Sequence, residues 1–340
     1  MALRTRLQTP FRPPIDVEGG TVRSTEWASY LFGKIGIVLI AGALFLALSL
    51  TSSAFWSPPN LDNIMIQISV LAIVSIGETI VMLLRGIDLS VGSVVLLSSV
   101  VVGALTVNHH EPIFLAIAVA LLFSLGIGLI NGVLISIVGV EPIIVTLAML
   151  LAVQGLDQVI LAQNGSWIQV LDPFFNGLYE NQLLFLPVMA VITLGLYIVA
   201  SIIMRSTPFG RSLYAVGGNP RAAHLAGINV TAVTVAAYAL SGLFAGIAGP
   251  LEVAQIGTVS QNVASGLEFS AITAVLVGGL SLTGGAGSVE NTLVGAAIFG
   301  MIDNYLTLNS FSIYYKQAVS GFLILVAVVV LNLGRLRSER

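Results

Sequence analysis

Five acidic residues lie within or beside the long apolar segments of this sequence: Glu78, Asp157, Glu252, Glu268 and Asp303. Carboxylates at membrane depth are costly, and they often mark substrate or ion pathways. Several of the five lie near segment ends, where helix capping or access to the interface also explains them. Glu78 and Asp303 lie most clearly inside. Together with three amide side chains they could line a path for a polar solute, although helix packing explains each residue taken singly. The residues of this path hypothesis are Glu78, Asn131, Gln154, Asp303 and Asn304.

Patterns for catalysis or nucleotide binding are missing from the sequence. Neither of its two lysines, Lys34 and Lys316, stands in a G-x-x-x-x-G-K-[ST] motif, so the chain does not bind ATP in the P-loop manner. The three histidines lack metal-ligand spacing on a helix, and no nucleophile stands in a pattern with a base. We therefore expect no catalytic, cofactor-binding or metal-binding residues, and no enzymatic activity of this chain alone.

Two short segments combine glycine with hydroxyl or acidic residues. In the first, residues 85–93, Asp88 and Ser90 are expected to cap the next helix, and Gly86 and Gly92 to relieve crowding. It is either a capped helix start or a pivot beside a translocation path. The second, residues 278–288, is too rich in glycine for a stable isolated helix, and it either packs tightly or lines a polar cavity. The candidate motif residues in this second segment are Gly278, Gly279, Ser281, Gly284 and Gly285.

A third segment, residues 205–229, interrupts the apolar sequence with a long polar stretch. Asn219 is a good helix N-cap, Pro220 suits the first helical position, and Gly227 suits the stop. This pattern predicts a short helix over about 220–226, preceded by a sharp turn at Gly217 and Gly218. A simple connection needs only a few residues. A structured loop of this length therefore predicts a docking surface, unless it is ordered but idle.

The composition identifies an integral membrane protein. The 340 residues are 56% hydrophobic and only 9% charged, against about 25% charge in soluble domains, and cysteine is absent. The apolar runs are continuous rather than alternating, which favours helices over a barrel. We therefore expect an all-α polytopic fold of about ten transmembrane helices, of which 91–107 and 268–283 are short or broken. The predicted spans are 35–56, 63–84, 91–107, 113–138, 143–162, 183–204, 231–254, 268–283, 289–310 and 314–333.

The basic residues orient these spans. Twelve of the thirteen Lys and Arg residues fall on one side of a ten-span arrangement, and only Lys316 falls on the other. The positive-inside rule makes that side the cytoplasm, with both termini inside. The predicted organisation is a disordered cytoplasmic tail over 1–34, a transmembrane domain over 35–333 with a cytoplasmic loop at 205–230, and a cytoplasmic tail over 334–340.

Four motifs occur in the order and spacing of one known family. They read GIDLSVGS at 86–93, EPIIVTLAML at 141–150, TPFGRSLYAVGGNPRAAHLAGIN at 207–229 and GGLSLTGGAGS at 278–288. The chain resembles the permease subunits of bacterial ABC sugar importers of the ribose, xylose and galactoside type. The resemblance covers about residues 35–333.

The resemblance implies a multi-pass permease in the bacterial cytoplasmic (inner) membrane that forms the path for a monosaccharide. It also implies a second permease subunit, an extracytoplasmic sugar-binding protein, and a cytoplasmic ABC ATPase that holds ATP and Mg. The polar segment then resembles the loop and coupling helix that engage the ATPase. Residues assigned to it are Gly210, Arg211, Gly217, Gly218, Asn219, Pro220, Arg221, Ala222 and Gly227.

Three residues depart from the family pattern and leave the sugar open: Arg85, Gln154 and Glu290. Two other functions also stay open. The first is an ion-gradient-driven secondary transporter of a small polar solute, for which Glu78 and Asp303 are the best relay residues. The second is an ABC importer of a polyol or a signalling furanosyl compound.

Overall fold

Twelve helices dominate the structure, a computed structural model that describes residues 24–312, 315, 318, 319, 321–326 and 329, with side chains from residue 36 onward. They are α1 Ser24–Thr51, α2 Pro58–Leu83, α3 Val91–Gly103, α4 Ile113–Val133, α5 Pro142–Gln163, α6 Pro173–Glu180, α7 Val188–Ser206, α8 Pro208–Gly218, α9 Pro220–Leu225, α10 Val230–Ile256, α11 Leu267–Val277 and α12 Val289–Leu308. Single π-helical turns, Ala104–Asn108 and Leu134–Val138, extend α3 and α4.

The centre of the bundle is α10, which packs against α2, α3 and α4. Glycines permit its contact with α4. A Cβ atom at Gly128 would lie 2.3 Å from the Tyr238 carbonyl oxygen, and one at Gly242 would lie 2.3 Å from the Ser124 carbonyl oxygen. Both helices carry a G-x-x-x-G pair, at 128–132 and at 242–246. Lipid is as apolar as a leucine side chain, so close packing of this kind replaces the hydrophobic effect between helices.

Helix α11 is too short to cross a bilayer. Its 11 residues rise about 16 Å, roughly half of an apolar layer of about 30 Å. It packs chiefly on α12 and α2 and also touches α3. The sequence predicts that 268–283 is short or broken, and the helix bounds agree. Segment 278–288 after it is irregular, as its glycine content predicts.

Four very short strands join the helices. β1 Trp167–Gln169 pairs antiparallel with β4 Thr258–Ser260, and β2 Gln182–Leu183 pairs with β3 Leu186–Pro187. The first pair ties the segment after α5 to the segment after α10. The all-α expectation therefore holds for the bulk of the fold but missed these strands, which are too short to give a periodic signal in the sequence.

Candidate membrane helices account for six of the ten predicted spans. Within the described residues, six helices are long and apolar enough to cross a membrane: Pro58–Leu83, Val91–Asn108, Ile113–Val138, Pro142–Gln163, Val188–Ser206 and Val230–Ile256. The first helix begins at Ser24 rather than near residue 35, so it includes part of the predicted N-terminal tail. Residues 1–23 and the tail over 334–340 lie outside the described residues.

The α4–α10 contact predicts opposite effects for two glycines of α4. Gly128→Ala should lower the thermal unfolding midpoint in detergent, because the new methyl group collides with the α10 backbone. Overpacking of this kind costs about 1–3 kcal/mol. Gly126 has no atom within 4 Å of its Cβ position, so Gly126→Ala should leave the midpoint unchanged or raise it. Equal midpoints for the two variants would contradict the packing argument.

Candidate functional site

Three segments meet at the end of the bundle where α2 ends: residues 84–90, residues 207–229 and residues 278–288. We call this end the loop face. The Gly285 amide donates a hydrogen bond to the Leu83 carbonyl at 2.9 Å. Gly217 approaches the same carbonyl so closely that a Cβ atom there would lie 1.9 Å from its oxygen. The backbone at the end of α2 is therefore in direct contact with two segments that are far from it in sequence.

Arg85 holds these segments together. Its Nε donates to the Gly217 carbonyl at 2.8 Å, and its guanidinium also donates to the Gly218 carbonyl at 2.5 Å. These carbonyls belong to the last turn of α8, where helix carbonyls have no partner within the helix. Arg85 adopts a left-handed backbone conformation, with φ of 68°. Such a φ costs a non-glycine residue roughly 1–2 kcal/mol, which the two charge-assisted hydrogen bonds offset.

Two further contacts fasten α8 to the segment before α12 and α7 to the first turn of α12. The Tyr214 hydroxyl donates to the Gly287 carbonyl at 2.9 Å. Burial, aided by the negative charge of Glu290, raises the pKa of Tyr214 to about 12, so this donor keeps its proton at physiological pH. Glu290 accepts a hydrogen bond from Ser201 and forms an ion pair with Arg205, whose Nη2 lies 2.8 Å away. Arg85 and Glu290, two of the residues that depart from the family pattern, thus both make contacts that hold the loop face together.

The polar segment folds into two helices rather than one. The sequence predicts the second, and α9 begins at Pro220 with the Asn219 side chain accepting from the Ala222 amide at 3.0 Å. The prediction missed α8. Gly217 and Gly218 are the end of that helix and not a turn of the chain. Gly210, near the start of α8, permits a tight approach, because a Cβ atom there would lie 2.2 Å from the Met204 carbonyl oxygen.

Much of this segment is open to solvent. The exposed residues include Arg211, Gly218, Asn219, Pro220, Arg221, Ala222, His224, Leu225 and Gly227. Leu225 is 82% exposed. Gly218 is helical and exposed, and no atom of the described residues lies within 4 Å of its Cβ position. Glycine destabilises a helix relative to alanine, and nothing inside the chain requires it at this position.

Below the loop face, a buried polar network surrounds Asp88. Its carboxylate accepts hydrogen bonds from the Ser90 hydroxyl at 2.6 Å and the Ser241 hydroxyl at 2.9 Å. The Asp88 amide donates to Glu78 Oε1 at 3.3 Å, and the Asn131 amide group donates to the Ser90 hydroxyl at 3.0 Å. Helices α2, α4 and α10 are therefore joined through the segment that links α2 to α3.

The expected capping of α3 takes a different form. Ser90 occupies the N-cap position, but its side chain makes no capping hydrogen bond. Asp88 Oδ1 instead accepts from the Ser90 amide at 3.1 Å, which turns the chain into the helix. Gly86 and Gly92 lie at crowded positions, where they relieve crowding as predicted. Added Cβ atoms would lie 2.2 Å from the Tyr238 hydroxyl and 2.2 Å from Glu268 Oε2, respectively.

Residues of the second glycine segment shape its turn. Ser281 donates through its amide to the Ala286 carbonyl at 3.0 Å and accepts the Gly284 amide at 3.0 Å. Gly284 and Gly285 have φ of 71° and 70°, which favour glycine. Gly278 packs on α12, where an added Cβ atom would lie 2.9 Å from the Asn291 carbonyl oxygen. A Cβ atom at Gly279 would meet open space.

The structure does not bring the five path residues together. Glu78 and Asn131 belong to the Asp88 network, and Asn304 exchanges hydrogen bonds with Asn60 at 3.0 and 3.1 Å. Gln154 lies on the exposed face of α5. Asp303 lines a cavity between α2, α10, α11 and α12. Among the described residues, no three acidic or histidine side chains come together to hold a metal ion.

Comparisons with known proteins place this geometry in a family. Residues 60–328 match the family model described as a branched-chain amino acid transport system, permease component. The chain belongs to this family. It is therefore a multi-pass membrane permease and not an enzyme, as the sequence predicts.

Individual relatives match over most of their length. The permease is 38% identical to the ribose import permease protein of Escherichia coli K12, over 86% of this chain and 92% of the relative. It is 32% identical to the L-arabinose ABC transporter permease protein of Azospirillum brasilense, over 93% and 92%. It is also 32% identical to the autoinducer 2 import system permease protein of Yersinia enterocolitica, over 87% and 81%. No solved structure matches the permease.

Sequence reasoning missed several residues of the loop face. Leu83 and Tyr214 gave no signal, because one acts through its backbone and the other looks like an ordinary aromatic residue of an amphipathic helix. Arg85 stood out as a basic residue before a glycine, but its partners lie 132 and 133 positions away. Leu225 is distinguished only by its exposure.

Replacing Arg85 should loosen α8 and α9. Arg85→Gly and Arg85→Asn both suit the positive φ but lose the contacts with Gly217 and Gly218. Hydrogen exchange of the amides in 207–227 should speed up about tenfold, the effect of losing roughly 1.4 kcal/mol of charged hydrogen bonding. Amides of α4 serve as the internal reference and should keep their rates. Unchanged exchange in 207–227 would contradict the holding role.

Proposed function

We propose that this permease is the membrane-spanning subunit of an ATP-driven importer, and that it forms the path for a monosaccharide, a pentose or hexose. The observation that carries the proposal is the folded α8–α9 segment, which is fixed to the bundle on one side and open on the other. Similarity to ribose and arabinose permeases over most of the chain supports the substrate class. The few charges at membrane depth suit a neutral solute.

The proposed topology has ten spans with both termini in the cytoplasm. In this arrangement the loop face is cytoplasmic, and Arg85, Arg205, Arg211 and Arg221 all lie on that side, in agreement with the positive-inside rule. The membrane is the bacterial cytoplasmic (inner) membrane. The end that carries the β1–β4 pair is the outer side, where an extracytoplasmic binding protein delivers the sugar.

The α8–α9 segment is the proposed docking site for a cytoplasmic ABC ATPase. Leu225 supplies an exposed apolar anchor, and the neighbouring Arg221 a positive charge. Gly218 leaves room for the partner's backbone to approach. ATP and Mg are held by the ATPase, because this chain has no P-loop. The complete importer contains two permease subunits, identical or different.

Motion of the ATPase reaches the membrane through backbone contacts. A displacement of α8 pushes on the Leu83 carbonyl through Gly217 and pulls on Arg85 through the two carbonyls it binds. Arg85 is three residues from Asp88, whose network joins α2, α4 and α10. The rigid elements that respond to the ATPase are therefore the helices that line the interior of the bundle. Different affinities of each state for ATP and for the binding protein drive the cycle.

Leu225→Asp should weaken the ATPase interaction without unfolding the permease. A buried apolar anchor is worth more than 1 kcal/mol, so the affinity measured in nanodiscs should fall about tenfold. The matched control is Leu184→Asp, because Leu184 is 81% exposed at the opposite end of the bundle. Equal ATPase affinity for both variants would remove α9 from the interface.

Transport should depend on the ATPase. The permease reconstituted alone in liposomes should take up no sugar under a proton or sodium gradient, because the work comes from the partner. Together with the ATPase, ATP and the binding protein, it should accumulate sugar. Gradient-driven uptake by the permease alone would support the secondary-transporter alternative, with Glu78 and Asp303 as its relay.

A further inference from the structure

The hairpin that precedes α7 exposes two large apolar side chains. Strands β2 and β3 pair Leu183 with Leu186, so Leu184 and Phe185 form the turn between them. Leu184 is 81% exposed and Phe185 is 94% exposed. We call these two residues the hairpin tip. The tip lies at the end of the bundle opposite the loop face, because α7 begins directly after the hairpin and ends beside α8.

The backbone of the hairpin tip is as unusual as its side chains. Leu184 and Phe185 both have a left-handed conformation, with φ of 53° and 65°. Hairpin turns with two such residues favour Asn-Gly or Asp-Gly, because these residues adopt a positive φ at little cost. Leucine and phenylalanine strain the backbone there, and in water they also leave apolar surface exposed. An apolar surrounding would turn the second of these costs into a gain.

The base of the hairpin is fixed to the bundle. The Gln182 side chain donates a hydrogen bond to Asp62 Oδ2 of α2 at 2.8 Å. The Val188 amide donates to the Asn181 carbonyl at 3.0 Å, and Pro187 is buried. The fold therefore presents the apolar tip at a defined position beside the starts of α2 and α7.

This position coincides with the boundary of an apolar layer. Helix α7 has 19 residues and rises about 28 Å, close to the roughly 30 Å of a bilayer's hydrocarbon core. Its other end carries Arg205, which is paired with Glu290 at the loop face. Residues 183–204 contain no charge, and α7 exposes Leu194 and Ile198 on its outer surface. The apolar run thus continues from the lipid-facing side of α7 into the hairpin.

Two neighbouring features define the kind of lipid surface that suits the tip. Trp56, just before α2, is exposed at the same end of the bundle, and tryptophan is enriched at membrane interfaces. The charged residues beside the hairpin, Asp62 and Glu180, are acidic, and residues 86–204 contain no Lys or Arg. Attraction to anionic headgroups needs basic residues, so the tip suits neutral lipids.

We propose that the hairpin tip inserts into the bilayer at the interface opposite the loop face, where Leu184 and Phe185 lie below the headgroups of neutral lipids. The insertion extends the lipid contact of α7 beyond the end of the helix. It compensates for the strained turn by removing two apolar side chains from water. The proposal concerns a lipid contact and does not rest on the proposed transport function.

The test uses the full chain in phosphatidylcholine vesicles. The chain has no cysteine, so Leu184→Cys introduces a single site for a fluorescent label. The matched control is Leu225→Cys, because Leu225 is 82% exposed at the loop face. Lipids brominated on the acyl chain near the headgroup should quench the label at position 184, since interfacial side chains lie about 5–10 Å into the headgroup boundary. Aqueous iodide on both sides of the membrane should quench the label at 225 and lose most of this effect at 184.

Three results would overturn the proposal. Equal iodide quenching at 184 and 225, without quenching by brominated lipid, would place the tip in water. Loss of iodide access only after an extracytoplasmic binding protein is added would assign the tip to a protein partner. Lipid quenching that requires anionic phosphatidylglycerol would contradict the assignment to neutral lipids. Phe185→Cys repeats each measurement at the second tip residue, and a single symmetric peak in size-exclusion chromatography identifies the folded variants.

Discussion

The close approach of α10 to its neighbours is the constraint on which the rest of the structure depends. A helix pair in lipid gains little from burying apolar side chains, so backbone proximity has to supply the contact. Gly128 and Gly242 bring α4 and α10 together at distances that no side chain would allow. With α10 held in the centre, Ser241 meets Asp88, and Ser98 donates a hydrogen bond to the Gly246 carbonyl at 2.7 Å. The polar interior exists because the helices are close.

Loop face and cavity are two ends of one connected structure. Arg85 lies at the loop face, Asp88 lies in the buried network, and Gly92 touches a residue of the cavity lining. The eight residues 85–92 therefore connect the loop face to the cavity. A short connection with backbone hydrogen bonds at both ends transmits a displacement better than a long flexible loop, because little of the movement is lost in rotations of the chain. This arrangement gives the GIDLSVG motif a physical role.

Local signals in the sequence were sufficient for the helices and for one cap. The apolar runs predicted most helix bounds within a few residues, and Asn219 and Pro220 predicted α9, because these features depend only on neighbours along the chain. The path residues Gln154 and Asn304 could not be placed, since the face that a residue presents depends on which helices pack beside it. The reason for Gly217 was also out of reach. Glycine is needed at position 217 because the Leu83 carbonyl of another helix lies too close for a side chain. No sequence pattern around residue 217 indicates that contact.

The contact between Leu83 and Gly285 consists of backbone atoms alone. Replacing the Leu83 side chain leaves its carbonyl in place, so a conventional alanine scan would pass over one of the main contacts of the loop face. Its sensitivity appears instead at the glycines opposite, Gly217 and Gly284, where Cβ atoms would lie 1.9 and 2.7 Å from the same oxygen. Natural variation should show the same asymmetry, with many side chains accepted at position 83 and very few at positions 217 and 284.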